Sequence, residues 1–265
     1  MTTSGTAAGA PVALVTGGAG GIGAATCEAL AARGHRLVVA DLDETAAAAV
    51  ADRVGGVAVG VDVTDAEASR AAVRRAVEEY GRLDVVALNA GVSSGHSGAA
   101  PLDPAAYRRI LGVNVDGVVF GVDAAVPALC AAGGGSIVVT ASLAGLVPMP
   151  ADPLYTLTKT AVVAYARALA EPLAADGIRI NALCPGFADT AILGAAREAF
   201  LAAGFPLLAP ADVAAAFLAV LDGGRTGEAW FVQPGRAPTP YRFHGVPGPV
   251  VSGGGTMAPP ELAER

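Results

Sequence analysis

The chain has 265 residues, of which 53% are hydrophobic and 15% charged, and its formal net charge is −7. Such an apolar composition is typical of a globular protein with a large core and excludes the polar, highly charged profile of disordered chains. The net negative charge and the lack of any Lys/Arg cluster in the sequence argue against a nucleic-acid partner.

The cysteines, the N-terminus and the uncharged stretches narrow the possible classes of protein further. Cys27, Cys130 and Cys184 lie far apart and outside any C-x-x-C spacing. No metal site or disulfide framework is therefore predicted, and buried, reduced thiols are expected. The N-terminus lacks the basic residue and apolar core of a signal peptide, and prolines and glycines interrupt the uncharged stretch 124–151 too often for a membrane span. The sequence predicts a soluble, cytoplasmic protein with no membrane partner.

Short β-branched runs alternate with alanine-rich helical stretches along the chain. The predicted strands are 12–17, 36–41, 57–63, 83–91, 136–142, 178–186 and 228–234, and the predicted helices are 22–33, 45–54, one from an N-cap at Thr64 or Asp65 to Tyr80, 104–129 and 156–175. Such alternation implies parallel strands joined by right-handed crossovers. The predicted fold is a single-domain α/β structure, a doubly wound Rossmann fold whose mostly parallel sheet of about seven strands is flanked by helices.

The predicted domain spans 11–235. A flexible N-terminus at 1–10 precedes it, and a Pro/Gly-rich extension at 236–265 follows, which we expect to be irregular or mobile. The long helix from Pro104 carries three glycines, Gly112, Gly117 and Gly121.

The stretch "TGGAGGIG" (16–23) follows the first predicted strand and opens the first helix. This context favours a loop whose backbone approaches a pyrophosphate at a helix N-terminus. Surplus glycines satisfy three fingerprints at once: G-x-G-x-x-G, G-x-x-G-x-x-G and T-G-x-x-x-G-x-G. The third reading uses Thr16, Gly17, Gly21 and Gly23 and makes Gly18 and Gly20 incidental; an ordinary flexible turn is the alternative.

Asp41 closes the second strand about 20 residues beyond the glycine loop. A carboxylate at this place accepts hydrogen bonds from the adenosine ribose hydroxyls and repels a 2′-phosphate. The neighbouring Leu42 and the loop residue Ala19 offer no cation, so NAD is favoured over NADP. The alternative is an aspartate that caps a strand-to-helix turn.

"YTLTK" places Tyr155 and Lys159 four residues apart, on one face of a helix. A nearby ammonium stabilises a phenolate and lowers the pKa of tyrosine. A pKa near 7 requires a shift of about three units, or roughly 4 kcal/mol, to which a nicotinamide cation would add. Ser142 ends the fifth strand, where binding groups gather, and its hydroxyl can hold a substrate oxygen beside the tyrosine. An exposed i, i+4 pair and a serine cap are the alternatives.

These residues converge on a family. The chain resembles the classical short-chain dehydrogenases/reductases over about residues 11 to 235. The motifs that carry the resemblance are "TGGAGGIG" (16–23), "DVT" (62–64), "NAG" (89–91), Asn114, "ASLAG" (141–145), "YTLTK" (155–159) and "PGFADT" (185–190). Their order and spacing match the family, including the thirteen positions from Ser142 to Tyr155.

The resemblance implies a role for each matching position. Tyr155 would be the general acid/base, Lys159 would lower its pKa and bind the nicotinamide ribose, and Ser142 would orient the substrate oxygen. Asn114 would hold, through its backbone, a water that links Lys159 to solvent. Implied cofactor contacts are Thr16, Gly17, Gly21, Ile22, Gly23, Asp41, Leu42, Asp62, Val63, Asn89, Ala90, Gly91, Tyr155, Lys159, Pro185, Gly186 and Thr190, with Asp62 and Val63 at the adenine and Thr190 at the nicotinamide carboxamide.

The resemblance also implies a homo-oligomer, either dimer or tetramer, with the long helix from Pro104 and the Tyr155 helix packed across the interface. The family's usual V-D-G-G ending is replaced here by "VQPG" (232–235). The extension that follows would cover the active site, reach a neighbouring subunit, or do nothing ordered.

Residues expected around the substrate are mostly apolar, which favours a small hydrophobic secondary alcohol or ketone. The candidates are His96, Leu146, Val147, Met149, Leu154, Ile192, Leu193, Phe200, Leu201 and Phe205, and core packing is the alternative for about half of them. His96 is equally well explained as a loop histidine without a role.

The sequence thus predicts an NAD-dependent dehydrogenase that transfers a hydride between a secondary alcohol and its ketone. A non-catalytic NAD-binding regulatory or scaffold protein is one alternative, but it would not need Ser142, Tyr155 and Lys159 together. An extended-type epimerase or dehydratase is the other. Those enzymes usually carry a larger C-terminal domain than the residues after 235 provide.

Overall fold

The computed structural model describes residues 9–95, 100–246 and 249. The strands are β1 (Val12–Thr16), β2 (Arg36–Asp41), β3 (Val57–Gly60), β4 (Val85–Leu88), β5 (Gly135–Thr140), β6 (Ile178–Pro185), β7 (Ala229–Val232) and β8 (Thr239–Pro240). The α-helices are α1 (Gly21–Ala32), α2 (Glu44–Val54), α3 (Ala66–Tyr80), α4 (Pro104–Leu111), α5 (Gly117–Ala131), α6 (Pro153–Ala174), α7 (Ala196–Ala202) and α8 (Pro210–Asp222). A π-helical segment, Gly112–Asp116, joins α4 to α5 without a break, and short 3₁₀ turns occupy Leu143–Gly145 and Ala191–Leu193.

The strands form one sheet in the order β3-β2-β1-β4-β5-β6-β7-β8. The pairs from β3 to β7 are all parallel, and only β8 runs antiparallel, against β7. The doubly wound α/β fold is therefore confirmed. Since the strand order reverses between β1 and β4, the switch point lies at the carboxyl ends of these two strands, where ligands bind in this kind of sheet.

Alternating side chains of each strand build a core on both faces of the sheet. On β1, Val12 and Leu14 belong to the cluster shared with α3, α5 and α6. Ala13 and Val15 belong to the cluster on the other face, shared with α1, α2 and α8. Burial on both faces explains why the strands are almost entirely apolar.

The helix that runs from Pro104 to Ala131 has the length and apolar composition of a membrane-crossing helix. Its α5 part packs against β4, β5 and α3, which accounts for that composition. A Cβ added at Gly117 would lie 2.8 Å from Val63 Cγ2, and one at Gly121 would lie 2.4 Å from Leu88 Cδ2. These two glycines therefore serve close packing within the chain.

The chain after Gly235 is irregular through residue 246, as expected, except at Thr239–Pro240; residues 247–248 and 250–265 of the extension lie outside the described residues. The chain turns back at Gly235, whose φ is +71°, and pairs Thr239 with Phe231 as the eighth strand. The Tyr241 N–H then donates to the Ala229 carbonyl at 2.7 Å. The sequence predicted about seven strands and the sheet has eight. β8 was missed because it has only two residues and is recognisable only by its pairing with β7.

The cysteines also differ in part from expectation. Cys27 and Cys184 are buried, as predicted, but Cys130 near the end of α5 is exposed. It lies one residue beyond the fully buried Leu129, on the solvent side of the helix.

Candidate active site

The glycine loop after β1 makes close contacts at Gly17, Gly21 and Gly23 that leave little room for a side chain. Gly17 has a φ of +61°, and a Cβ there would lie 2.9 Å from the Ala90 Cα. At Gly23 a Cβ would lie 2.0 Å from the Gly17 carbonyl oxygen, and at Gly21 it would lie 3.1 Å from Thr190 Cγ2. The loop, the β4 end and the loop after β6 therefore meet at one point.

The two remaining glycines of the loop differ from each other. A Cβ at Gly18 would lie 2.7 Å from Val39 Cγ1, whereas at Gly20 the nearest atom would be at 3.5 Å, an ordinary contact. Gly18 therefore packs on β2, and its place outside the dinucleotide motif stays a prediction. Gly20 alone is surplus in the steric sense.

The side chains of Thr16 and Asn89 hold the glycine loop in place through hydrogen bonds. The Thr16 hydroxyl accepts hydrogen bonds from the backbone N–H groups of Asn89 at 3.0 Å and Ala90 at 3.2 Å. The Asn89 side-chain amide in turn donates to the carbonyls of Thr16 at 3.2 Å and Gly17 at 3.1 Å. These two predicted cofactor residues therefore shape the backbone of the loop.

The first turn of α1 is left open to an anion. Gly20 provides no side-chain cap there, although aspartates cap α2, α3, α4 and α6. The early N–H groups of a helix lack internal partners, and the helix dipole adds positive potential. Gly21, Ile22 and Gly23 thus present backbone donors where a pyrophosphate would lie.

Asp41 lies beside this loop, at the end of β2. Its Oδ2 accepts the Ala19 N–H at 2.9 Å and its Oδ1 accepts the Asp43 N–H at 3.2 Å. Leu42 is 75% exposed, and no ion pair in the described part of the chain puts a cation on Asp41. Two carboxylate oxygens with four acceptor positions leave capacity for ribose hydroxyls.

The two predicted adenine residues behave differently. Asp62 Oδ1 accepts both the Thr64 N–H at 2.9 Å and the Thr64 hydroxyl at 2.8 Å, which makes a turn after β3. The Val63 side chain points to Gly117 and packs against the core.

Asn114 lies in the π-helical segment and is fully buried. Its Oδ1 accepts the Val92 N–H at 2.8 Å, and its Nδ2 donates to the Val92 carbonyl at 2.9 Å and to Thr158 Oγ1 at 3.1 Å. Single π-helical turns are frequent at functional sites. Here the turn brings the Asn114 side chain to the β4 end and to the helix that carries Tyr155.

Lys159 lies in the same cluster and is 3% exposed. Its Nζ donates to the Thr140 carbonyl at 2.8 Å, and a Cβ at Gly91 would lie 3.3 Å from it. Its Nζ is 5.6 Å from the Tyr155 ring centroid. Burial lowers the pKa of Lys159 to about 8.

Tyr155 has a partly exposed side chain, but its phenol group is surrounded by protein. Burial raises the pKa of Tyr155 to about 12, and the hydrogen bond with the Ser142 side chain opposes that rise. The charge of Asp152 and the nearby Cys184 raise the pKa further. Lys159 is not among the causes of this shift, so the expectation that Lys159 and a nicotinamide cation together bring the pKa toward 7 stays a prediction.

Ser142 ends the segment after β5, and its Oγ accepts the Ala144 N–H at 3.1 Å. Its backbone hydrogen bonds to Cys184, a buried thiol whose pKa burial raises to about 12. Sequence reasoning gave Cys184 no place near Tyr155, since its thiol reaches the site only through the register of β5 with β6.

The loop after β6 crosses the same edge of the sheet. Gly186 N–H donates to the Val232 carbonyl at 2.9 Å, so Pro185 and Gly186 continue along β7. A Cβ at Gly186 would lie 2.6 Å from Gln233 Oε1 and 3.4 Å from Leu143 Cδ1. Gln233 therefore approaches the site, a position that the unusual "VQPG" ending hinted at but did not assign.

The candidate substrate residues divide between core and surface. Leu146 packs against the core, whereas Val147, Ile192, Leu201 and Phe205 are exposed by 47%, 38%, 49% and 42%. Met149, Leu154 and Leu193 are partly buried. Phe200 and Phe205 stack with Phe187, with ring centroids 4.5 to 5.6 Å apart. His96 lies outside the described residues.

The doubly wound sheet, with its glycine loop at the switch point, defines a Rossmann-type dinucleotide-binding fold. The family model described as "short chain dehydrogenase" matches residues 11–200. The chain therefore belongs to the short-chain dehydrogenase family and is an oxidoreductase.

Two relatives and one solved structure give the similarity in numbers. Cis-4-hydroxycyclohexanecarboxylate dehydrogenase of Sinomonas cyclohexanicum is 41% identical over 187 residues, 69% of this chain and 75% of the relative. Cyclohexanol dehydrogenase of Acinetobacter sp. (strain SE19) is 37% identical, over 71% of this chain and 77% of the relative. The 3-ketoacyl-(acyl-carrier-protein) reductase of Brucella melitensis complexed with NADH has a TM-score of 0.79 and 32% identity, covering 85% of this chain and 98% of that structure.

Proposed function

We propose that the protein is an NAD-dependent dehydrogenase that interconverts a hydrophobic cyclic secondary alcohol and its ketone. The observation that carries the proposal is the convergence of Ser142, Tyr155 and Lys159 on the same sheet edge as the glycine loop. Two relatives named for cyclohexanol and for a hydroxycyclohexanecarboxylate support a ring-shaped alcohol.

The residues at the first helix fit a dinucleotide. Gly17, Gly21 and Gly23 leave the backbone bare where side chains would clash, and the first turn of α1 has no side-chain cap. The carboxylate of Asp41 would hold the adenosine ribose, which favours NAD because a 2′-phosphate would meet a like charge. We propose Thr190, which lies against Gly21, as the residue at the nicotinamide carboxamide.

When bound, the nicotinamide supplies the acceptor or donor of a hydride. The protein's part is to handle the proton and to hold the substrate. Ser142 would donate a hydrogen bond to the substrate oxygen, and Tyr155 Oη would take the hydroxyl proton in oxidation and return it in reduction. Lys159, held by Thr140, provides the positive charge that stabilises the phenolate.

The direction of the tyrosine pKa predicts how the rates depend on pH. Because burial holds the Tyr155 phenol protonated at neutral pH, the residue is ready to donate a proton to a ketone. Alcohol oxidation needs the phenolate and should accelerate as pH rises, whereas ketone reduction uses the protonated phenol and should slow only as pH approaches the raised pKa. Steady-state rates in both directions across the pH range check this, and an oxidation rate that falls with rising pH would contradict it.

The test is a substrate screen on the purified protein with NAD and NADP in parallel. Cyclohexanol and 4-hydroxycyclohexanecarboxylate are the first substrates, linear secondary alcohols the second set, and Ser142→Ala the inactive control. We expect formation of NADH with the cyclic alcohols. Activity only with NADP would refute the cofactor assignment, and no activity with any alcohol or ketone would refute the enzyme assignment.

We also propose that the protein assembles as a homodimer or homotetramer, as the family resemblance implies. Leu157, on the outer side of α6, is 47% exposed and would suit a covered surface. Light scattering tests this, and a monomer at all concentrations would contradict it.

A further inference from the structure

Asp152 makes contacts that its role as a helix cap does not require. The residue precedes α6, and its Oδ1 accepts the Tyr155 N–H at 2.9 Å, which caps the helix. The same Oδ1 accepts the Ser94 hydroxyl at 2.5 Å, and Oδ2 accepts the Ser94 N–H at 3.1 Å. One carboxylate thus joins the loop after β4 to the first turn of the Tyr155 helix.

Asp103 is a comparison for Asp152, because it caps a helix and makes no contact to another loop among the described residues. Asp103 precedes Pro104 as Asp152 precedes Pro153, so the same dipeptide opens α4 and α6. Asp103 is exposed, and its Oδ1 accepts the Ala105 N–H at 2.9 Å. Asp152 is partly buried and Ser94 is 5% exposed, so the second pair of contacts lies inside the protein.

The loop that Asp152 contacts, residues Val92–Gly95, lies next to the catalytic cluster and is bonded to other elements as well. Val92, two residues before Ser94, is bonded through both its N–H and its carbonyl to Asn114. The Ser93 carbonyl accepts a hydrogen bond from Arg109 at 3.1 Å. The loop is therefore fixed from α4, from the π-helical segment and from α6. Asn114 reaches the Tyr155 carbonyl through the Thr158 hydroxyl, whereas Asp152 joins Ser94 directly to the Tyr155 N–H.

The negative charge of Asp152 also acts on the Tyr155 phenol. The charged and polar groups around the Tyr155 phenol are Asp152 before α6, Lys159 on α6, Cys184 on β6 and the Ser142 hydroxyl after β5. Of these, Asp152 carries the negative charge. It raises the pKa of the phenol, in the same direction as burial.

We propose, on the basis of the function proposed above, that Asp152 is a positioning residue for Tyr155. It ties the Val92–Gly95 loop to the first turn of α6, fixes the phenol relative to Ser142, and favours the protonated phenol. The two roles are separable, because Ser94 takes part only in the first and the charge only in the second.

Three variants separate these roles. Asp152→Asn keeps an acceptor oxygen for the Tyr155 N–H and removes the charge, but its amide nitrogen cannot accept the Ser94 N–H, so it also loses one loop contact, which Ser94→Ala controls for. Ser94→Ala removes a contact of the loop and keeps both cap and charge. Asp103→Asn is the matched control, an exposed aspartate cap before a proline. Circular dichroism and thermal unfolding establish that each variant folds.

The pH profile of kcat for alcohol oxidation is the first measurement. For Asp152→Asn we expect the acidic limb to move to lower pH, as expected when one nearby negative charge is removed. For Ser94→Ala we expect kcat to fall several-fold with an unshifted limb and an unchanged dissociation constant for NADH. Asp103→Asn should leave both quantities at the wild-type values. An Asp152→Asn profile that coincides with that of Asp103→Asn overturns the proposal.

A readout that needs no turnover separates this proposal from the proposed function. Tyrosine labelled with ¹³C at Cζ reports phenol ionisation by NMR, and the spectrum of Tyr155→Phe identifies the Tyr155 signal. We expect this signal to begin titrating at lower pH in Asp152→Asn than in wild type. If that shift appears in a protein inactive on every alcohol, the proposed function fails and the role of Asp152 stands. If the signals titrate together, the role of Asp152 fails whatever the activity.

Discussion

The glycine loop and the catalytic cluster lie at the same edge of the sheet but depend on opposite features of their residues. In the loop, Gly17 and Gly23 matter because a side chain would collide with backbone at 2.9 and 2.0 Å. In the cluster, Asn114 and Lys159 matter because their polar groups are buried and hydrogen-bonded. The loop thus requires residues without a Cβ atom. The cluster requires polar side chains whose pKa values and hydrogen bonds are set by burial.

This difference predicts which property each region controls. A change in the loop alters the shape offered to a phosphate and should act on binding. A change in the cluster alters proton affinity or hydrogen bonding at the reacting oxygen and should act on turnover. The following variants test that division.

Tyr155→Phe should have the largest effect. It removes the only group of the cluster proposed to exchange a proton with the substrate and retains the ring. General acid–base catalysis typically contributes 10²- to 10⁴-fold, so we expect kcat to fall roughly a thousandfold. Steady-state assays in both directions measure it, and a loss below about tenfold would remove Tyr155 from the proposed role.

Gly23→Ala should have the next largest effect, on binding. A methyl group 2.0 Å from the Gly17 carbonyl forces the loop and α1 apart. Overpacking of this kind costs about 1–3 kcal/mol, so we expect the affinity for NADH to fall roughly ten- to a hundredfold, or the protein to be less stable by a similar amount. A fluorescence titration with NADH and a thermal melt measure both, and wild-type values in both would refute the steric account.

Asp41→Ala should change cofactor preference by a smaller factor. The substitution removes an acceptor for the ribose hydroxyls and a charge that repels a 2′-phosphate. A hydrogen bond to a charged group is worth about 1.5–3 kcal/mol, so the preference for NADH over NADPH should fall by about tenfold or more. Parallel titrations with the two cofactors decide it, and an unaltered ratio would mean that Asp41 only caps a turn.

Gly20→Ala should have the smallest effect and is the matched control for Gly23→Ala. The nearest atom to an added Cβ is 3.5 Å away, and φ is −78°, which alanine adopts without strain. We expect NADH affinity within about threefold of wild type, since a change at a helix N-cap typically costs about 1 kcal/mol or less. If Gly20→Ala were as damaging as Gly23→Ala, steric room would not be what distinguishes the loop glycines.

The elements built on regular patterns were predictable from the sequence. β2 was predicted at its observed bounds, and the alternation of strand and helix was sufficient for the doubly wound sheet. The helices α7 and α8 were not predicted. β8 was missed because its two residues, one of them proline, form a strand only through their pairing with β7.

At the site, spacing predicted which residues meet but not what their surroundings do. Ser142, Tyr155 and Lys159 come together as expected. Spacing could not predict that burial raises the Tyr155 pKa, or that Cys184 from another strand raises it further. The contact of Gly18 with Val39 on β2 was missed for a similar reason. Contacts between residues far apart in the sequence cannot be predicted from the spacing of a local motif.

The most direct test of the division between binding and chemistry is the affinity of Tyr155→Phe for NADH, measured by fluorescence titration beside wild type and Gly23→Ala. We expect Tyr155→Phe to bind NADH within about threefold of wild type, because it loses only one of the several contacts proposed for the cofactor, and we expect Gly23→Ala to bind it far more weakly. If Tyr155→Phe lost NADH affinity as severely as Gly23→Ala, binding and chemistry would not be separate, and the central claim would be contradicted.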